Sequence, residues 1–222
     1  IPIGPSTEAQ DLFEQKGTYL ITGGSSGFGL EVAKWMVELG ARTLVLLSRS
    51  GPKTESEKSD IEALRENNVN VVDARADISS EEDVIRIVEE IKSELPPLKG
   101  IIHGAMVLHD AFIRELASED FEKVLRPKMI GAWLLHQHTR DCQLDYFISF
   151  SSVSSMVGAG RQSNYCSGNL FLDALAHHRR SLGLPALTVN WGALLEAGFV
   201  SRDQKTAQYL DKIGMKSFTI SE

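Results

Sequence analysis

The chain has 222 residues, 42% of them hydrophobic and 24% charged, with a net charge of −7. That length suits one α/β domain with a full core and is short for two. The acidic balance argues against a nucleic-acid partner, which needs a basic face, and no apolar run approaches the ~18 residues of a membrane span. Two cysteines, Cys142 and Cys166, make no disulfide framework, and nothing resembles a signal peptide, so a reducing, cytoplasmic setting is expected.

Residues 1–16, with two prolines and a glycine, read as a linker or docking arm ahead of a unit spanning 17–222. Thr18–Thr22 is a short β-rich run. Residues 27–39 are amphipathic, with Leu30, Ala33 and Val37 at helical spacing and Gly40 as the stop. Thr43–Ser48 is almost wholly apolar, as a strand covered on both faces should be. Residues 51–60 read as polar and flexible, with a helix only over 61–66, and 69–74 form the third strand. Ser79-Ser80-Glu81-Glu82 starts a helix with acids at its positive end, and Pro96 and Pro97 end it. Residues 100–105 are the fourth strand; 118–139 are helical, with Pro127 expected to kink or split them. A fifth strand at 146–151, a helix at 164–182 ending at Gly183 and Pro185, and a sixth strand at Leu187–Trp191 complete the pattern. The alternation predicts an α/β, Rossmann-type doubly wound parallel sheet in spatial order 3-2-1-4-5-6, with the sixth strand at the edge. Residues 194–200 read as the start of a substrate lid and 209–222 as the approach to a final helix and strand not included, so the unit is expected to be incomplete.

Thr22-Gly23-Gly24-Ser25-Ser26-Gly27-Phe28-Gly29 follows a strand and opens a helix. Glycines let a backbone approach a pyrophosphate, and the free N–H groups of a helix start point at the anion. The pattern T-G-x-x-x-G-x-G is similar to that of short-chain dehydrogenases. The second strand ends in Ser48-Arg49, with no acidic residue before Glu55. A guanidinium there suits the 2′-phosphate of NADPH, whereas an acid would suit the ribose of NAD; a solvated surface arginine is the plainer alternative. Asp77-Ile78 follows the third strand, where an adenine would be cradled, unless Asp77 is simply a turn residue.

Ser152 ends an apolar strand, Tyr165 lies thirteen residues on at a helix start, and Asn169 is one turn further along the same face. Carbonyl reduction needs a hydride, which a nicotinamide supplies, and a proton. A phenol can donate that proton if its pKa of ~10 is pulled down. One positive charge ~5 Å away, at an effective dielectric of ~20, is worth about 3 kcal/mol, roughly two pKa units. Lys128 is the candidate cation, because Phe121, Leu125, Lys128, Ala132 and Leu135 share one helical stripe. A lysine inside an apolar stripe is costly to bury, unless it snorkels to solvent.

Tyr-x-x-x-Asn with a lysine in the preceding helix, where most short-chain dehydrogenases put the lysine four residues after the tyrosine, resembles the ketoreductase domains of polyketide synthases and similar multienzymes. Tyr19-Leu20-Ile21-Thr22-Gly23-Gly24, Leu46-Leu47-Ser48-Arg49-Ser50-Gly51, Phe150-Ser151-Ser152-Val153 and Asn190-Trp191-Gly192 support the resemblance, which runs from about Gly17 to Phe199. It implies NADPH-dependent reduction of a β-ketoacyl thioester, carried on the phosphopantetheine of an acyl carrier protein, among companion domains of a synthase. It makes Tyr165 the proton donor, Ser152 the oxygen-holding partner, Lys128 the tuner of Tyr165 and Asn169 the positioning amide. Asn190-Trp191-Gly192 would border the nicotinamide, as would His103-Gly104-Ala105. His109, Asp110, Val157, Leu194 and Phe199 would face the substrate. His109 replaces the first Asp of the Leu-Asp-Asp pattern of B-type domains, and Val157 stands where A-type domains commonly carry Trp. With Asp110 kept and that Trp absent, the lean is toward B-type configuration, unless Asp110 only caps its loop.

His136 and His138 do not share a helix face, and His177 and His178 adjoin Arg179 and Arg180 at an expected solvated helix end. No spacing supplies three or four metal ligands. Two other readings remain: a stand-alone alcohol dehydrogenase, against which the Lys128/Asn169 exchange argues, and a non-reducing or epimerising scaffold, against which the complete polar set argues.

Overall fold

The computed structural model of the chain describes residues 12–192. Leu194, Phe199 and the expectations for the lid, the final helix and strand, and most of the arm lie outside these residues. Six parallel strands stand in the order β3-β2-β1-β4-β5-β6: β1 Thr18–Thr22, β2 Thr43–Ser48, β3 Asn70–Arg75, β4 Leu98–His103, β5 Tyr146–Ser152 and β6 Leu187–Trp191. Helices α1 Gly27–Glu38, α2 Glu55–Glu66, α3 Glu81–Glu94, α4 Ser118–His138, α5 Ser154–Val157 and α6 Ser163–Ser181 connect them. The sheet is the one expected.

Strands β1 and β2 are interior, each paired on both sides and covered on both faces, which is why Leu20, Ile21, Leu44 and Leu46 are wholly buried and read as unbroken apolar runs. Two large cores form, one on each face, and a third small cluster of Ala132, Leu172 and Leu175 joins α4 to α6. Val84, Ile87, Val88 and Ile91 of α3 pack with Leu134 and Leu135 of α4 on one side; Leu30, Ala33 and Met36 of α1 pack with Ile61 and Leu64 of α2 on the other. At the described end of the arm, Phe13 is buried and its ring meets Tyr19, Trp35 and Tyr146 at centroid distances of 5.1, 5.6 and 5.7 Å.

Beyond shifts of one residue at element ends, three features differ from the sequence reading. Helix α2 starts at Glu55, not near Ile61: Thr54 Oγ1 accepts from Glu57 N at 3.2 Å while Glu57 Oε2 accepts from Thr54 N at 3.0 Å. This reciprocal cap makes helical a stretch whose polarity suggested a loop; only Ile61 and Leu64 of the helix are buried. Strand β4 ends at His103, because Gly104 N and Ala105 N both turn onto Thr22 Oγ1 at 3.2 Å. Helix α4 runs through Pro127 without dividing. Packing against α6 and α3 holds it, helped by Gly131, where a Cβ would stand 3.0 Å from Ile78. Among the described residues no helix is long and apolar enough to cross a membrane.

Candidate functional site

The site lies at the carboxyl ends of the strands, where open α/β sheets bind ligands. Its first wall is the turn from β1 into α1. Gly23 has φ +74°, and a Cβ there would be 3.2 Å from the Gly104 carbonyl; one on Gly29 would be 2.3 Å from the Gly23 oxygen. A Cβ at either place would press on the backbone, so these glycines let the turn fold tightly on itself and on the end of β4. Ser26 leaves the start of α1 without a side-chain cap, and no acid occupies its first turn. The first N–H groups of the helix therefore remain for an anion, which is the fit a dinucleotide pyrophosphate requires.

The second wall follows β2. Ser48 Oγ donates to buried Ser25 Oγ at 3.0 Å and accepts from Gly51 N at 2.8 Å, tying this turn to the glycine loop. Arg49 is exposed on the turn, and Arg75 Nη1 braces it by donating to Ser50 O at 2.7 Å. Asp77 Oδ1 accepts from Ser79 N at 2.9 Å and Ser79 Oγ at 2.6 Å, so the carboxylate does form a turn. Burial pushes the Asp77 carboxyl up, but the Ser79 bonds, then Arg49 and Arg126, bring it below its usual value. Ile78 is 4% exposed and packs into the core rather than toward the surface.

His103, at the end of β4, is buried, and its Nδ1 pairs with Thr22 Oγ1 at 2.8 Å. The Thr22 oxygen already accepts from two backbone N–H groups, so its own proton is left for Nδ1. Burial and then the Lys128 charge push the imidazole down to about 3, and it is neutral. Phe28 of α1 lies edge-on to Trp191 at 4.8 Å and tilted on Phe150 at 5.2 Å, an aromatic floor between the glycine loop and the ends of β5 and β6. Asn190 Nδ2 donates to Ser155 Oγ at 3.2 Å, and Trp191 O accepts from Val153 N at 3.0 Å. Gly192 is the last described residue.

Tyr165, Ser152, Asn169 and Lys128 come together. Lys128 is 2% exposed, so it does not snorkel; its Nζ donates to Phe150 O at 2.8 Å and stands 5.2 Å from the Tyr165 ring centre. Gly168 makes room for it, since a Cβ there would press on the lysine stem at 3.3 Å. Burial pushes the Lys128 ammonium down to about 7, against the opposing pull of Asp173. Burial likewise pushes the Tyr165 phenol up, against the hydrogen bonds of Asn169 and Ser152. The phenol thus stands above its ordinary value, with burial the largest cause, while the Lys128 ammonium is given to the Phe150 carbonyl beside the ring. Asn169 is fully buried, its Oδ1 without a hydrogen-bond partner and its Nδ2 3.5 Å from Ser154 Oγ.

The opposite rim is the loop after β4. Asn164 Nδ2 donates to His109 O at 3.0 Å, and Gln162 Nε2 donates to Asp110 Oδ2 at 2.9 Å. His109 and Asp110 are thus joined to the α6 start that carries Tyr165. Val157, on the short helix α5, is 75% exposed. Two polar residues, Ser155 and Asp173, have no place in the sequence reading, and a third, Arg179, departs from it. Arg179 is 1% exposed rather than solvated; α4 covers it, and His136 Nδ1 accepts from its Nη1 at 3.1 Å. A Ser155–Asp173 link has no signal in local spacing; it needs α5 laid against α6. Among the described residues no cluster of three or more His, Cys, Asp or Glu is placed to hold a metal.

The family model described as KR domain matches residues 17–196. The chain is 38% identical over 222 residues to a highly reducing polyketide synthase, PKS6, of Gibberella zeae, covering 100% of this chain and 9% of that protein. It is 41% identical over 215 residues to the hybrid PKS-NRPS synthetase pynA of Aspergillus niger, covering 96% of this chain and 5% of that one. Among solved structures it matches a ketoreductase domain from the bacillaene assembly line with TM-score 0.85 and 37% identity, covering 91% of this chain and 50% of the other. A-type ketoreductases from a modular polyketide synthase match with TM-score 0.88 and 34% identity, covering 99% of this chain and 46% of theirs. The chain thus spans about half of these solved structures and under a tenth of the synthases.

Proposed function

The chain belongs to the KR domain family, and from that premise we propose that it reduces a β-ketoacyl thioester to a β-hydroxyacyl thioester using NADPH. The thioester is presented on the phosphopantetheine arm of an acyl carrier protein, within a synthase whose other domains lie alongside. The family and fold imply a nicotinamide cofactor; the preference for NADPH rests on Arg49 at the end of β2 with no acid beside it.

The observation that carries the reading is the meeting of Tyr165, Ser152 and Asn169 with a buried lysine, across from an uncapped glycine-rich helix start. When bound, NADPH supplies a hydride to the carbonyl carbon. Tyr165 gives its phenolic proton to the carbonyl oxygen, and Ser152 holds that oxygen by hydrogen bond. A phenol raised by burial keeps its proton through neutral pH, as a general acid must. The charge that then develops on the Tyr165 oxygen is what the Lys128 ammonium stabilises. The lysine thus acts on the transition state, where the phenolate is forming, more than on the resting acid. Asn169 holds the interior of this group together. With Asp110 kept and Val157 in place of Trp, the expected alcohol has the B-type configuration.

The test is turnover of a β-ketoacyl thioester with NADPH, followed by chiral chromatography of the alcohol. Tyr165→Phe should keep NADPH binding and lose turnover by about 100- to 10,000-fold, the usual worth of a positioned acid. A variant that kept about a tenth of the wild-type rate would remove Tyr165 from this role.

A further inference from the structure

Asp173 lies on α6, one turn beyond Asn169, and its carboxylate is shared between two other elements. Ser155 Oγ of α5 donates to Asp173 Oδ2 at 2.7 Å. Asn190 Nδ2 of β6 reaches the same oxygen at 3.5 Å and Ser155 Oγ at 3.2 Å. The other oxygen, Oδ1, is buried with no hydrogen-bond partner. A buried carboxylate oxygen without a donor is costly, and what offsets it is a nearby positive charge. The charge available is Lys128, packed from α4 against the same stretch of α6 through Gly168.

We propose that Asp173 is a positioning residue with two tasks: its Oδ2 pins Asn190 and Ser155 to the tyrosine helix, and its charge keeps the buried Lys128 a cation. The inference rests on the ketoreductase reading above. The first task sets the end of β6, where Asn190, Trp191 and Gly192 border the nicotinamide in that reading, against the helix carrying Tyr165. The second follows from the neighbours of Lys128. From β4 it faces His103, which is neutral; from β5 the Phe150 carbonyl; from α6 the Tyr165 ring and the field of Asp173. Asp173 is thus the acid that opposes the desolvation of Lys128.

The two tasks separate by substitution in the intact protein. Asp173→Asn keeps an oxygen for Ser155 and Asn190 but no charge; Asp173→Ala removes both. Asp173→Ala should raise the KM for NADPH about 5- to 20-fold, the worth of one to two hydrogen bonds, and Asp173→Asn should restore most of it. Both should move the alkaline limb of the kcat profile to lower pH, so that activity lost at pH 8 is regained near pH 6. A merely structural aspartate would not move that limb. Both variants matching wild type in KM and in pH profile would overturn the inference. Wild-type protein that neither binds NADPH nor reduces the thioester would instead take down the ketoreductase reading, and this inference with it.

Discussion

Helices α4 and α6 bury two cations along their contact, and the two are treated differently. Arg179 lies under α4 with its guanidinium 3.8 Å over the Phe147 ring. Its Nε donates to Pro185 O at 3.0 Å and its Nη1 to His136 Nδ1 at 3.1 Å. Burial pulls it down only to about 10, so it stays charged at every physiological pH. His136, pushed down to about 4 by burial and then by that arginine, stays neutral and can accept. Lys128, two helical turns earlier on α4, has one backbone partner, a tyrosine ring beside it and a pKa near 7. A buried charge whose donors are used within the protein acts as a cross-brace. One left close to its titration point, beside a buried tyrosine, has the environment expected of a group used in chemistry.

The comparison breaks most visibly at Lys128. Lys128→Met should lower turnover by about 100-fold or more while NADPH still binds, and should remove the alkaline limb near pH 7. It should also make the protein less sensitive to pH. The folded pKa of Lys128 lies below its unfolded value, so the unfolded chain holds the extra proton between about 7 and 10.5. Wild-type stability therefore rises with pH across that window, and the Met variant should flatten the rise in thermal midpoint. A variant with the wild-type pH profile would show that the lysine is not titrating here.

Arg179→Met tests the other half. It leaves the Pro185 carbonyl and the His136 ring without their donor and removes the stack on Phe147, so unfolding should become easier by about 2–4 kcal/mol. The kcat/KM of the remaining folded protein should change less than about threefold. Chemical denaturation and kinetics on one preparation check both, and a large loss of kcat at unchanged stability would erase the distinction. Arg49 is the third kind of cation, exposed on the turn after β2 and assigned to the cofactor phosphate in the proposed function. Arg49→Ala should reduce the preference for NADPH over NADH by about 10- to 150-fold, as expected for one charge-assisted phosphate contact. An unchanged ratio would move the phosphate contact elsewhere.

The sheet, its order and the glycine turn were legible in the residues because they depend on short-range signals. Unbroken apolar runs such as Thr43–Ser48 specify strands covered on both faces, and glycines at 23 and 29 stand where a Cβ has no room. Tyr165 and Asn169 are one turn apart on one helix, and Lys128 betrays itself by interrupting an apolar stripe. The start of α2 was equally written in Thr54-x-x-Glu57, a cap hidden by the polarity around it. Other properties needed the tertiary structure, because they depend on what segments distant in sequence do to each other's solvation. Burial sets the direction of the Tyr165 shift, and a carbonyl 22 residues away from Lys128 holds its ammonium. Arg179 reads as a solvated helix end until α4 covers it, and Asp173 reads as an ordinary helix acid until α5 and β6 close on its carboxylate. Local spacing determines which groups can share a face; only the packed interior decides which of them lose water, and so which are charged.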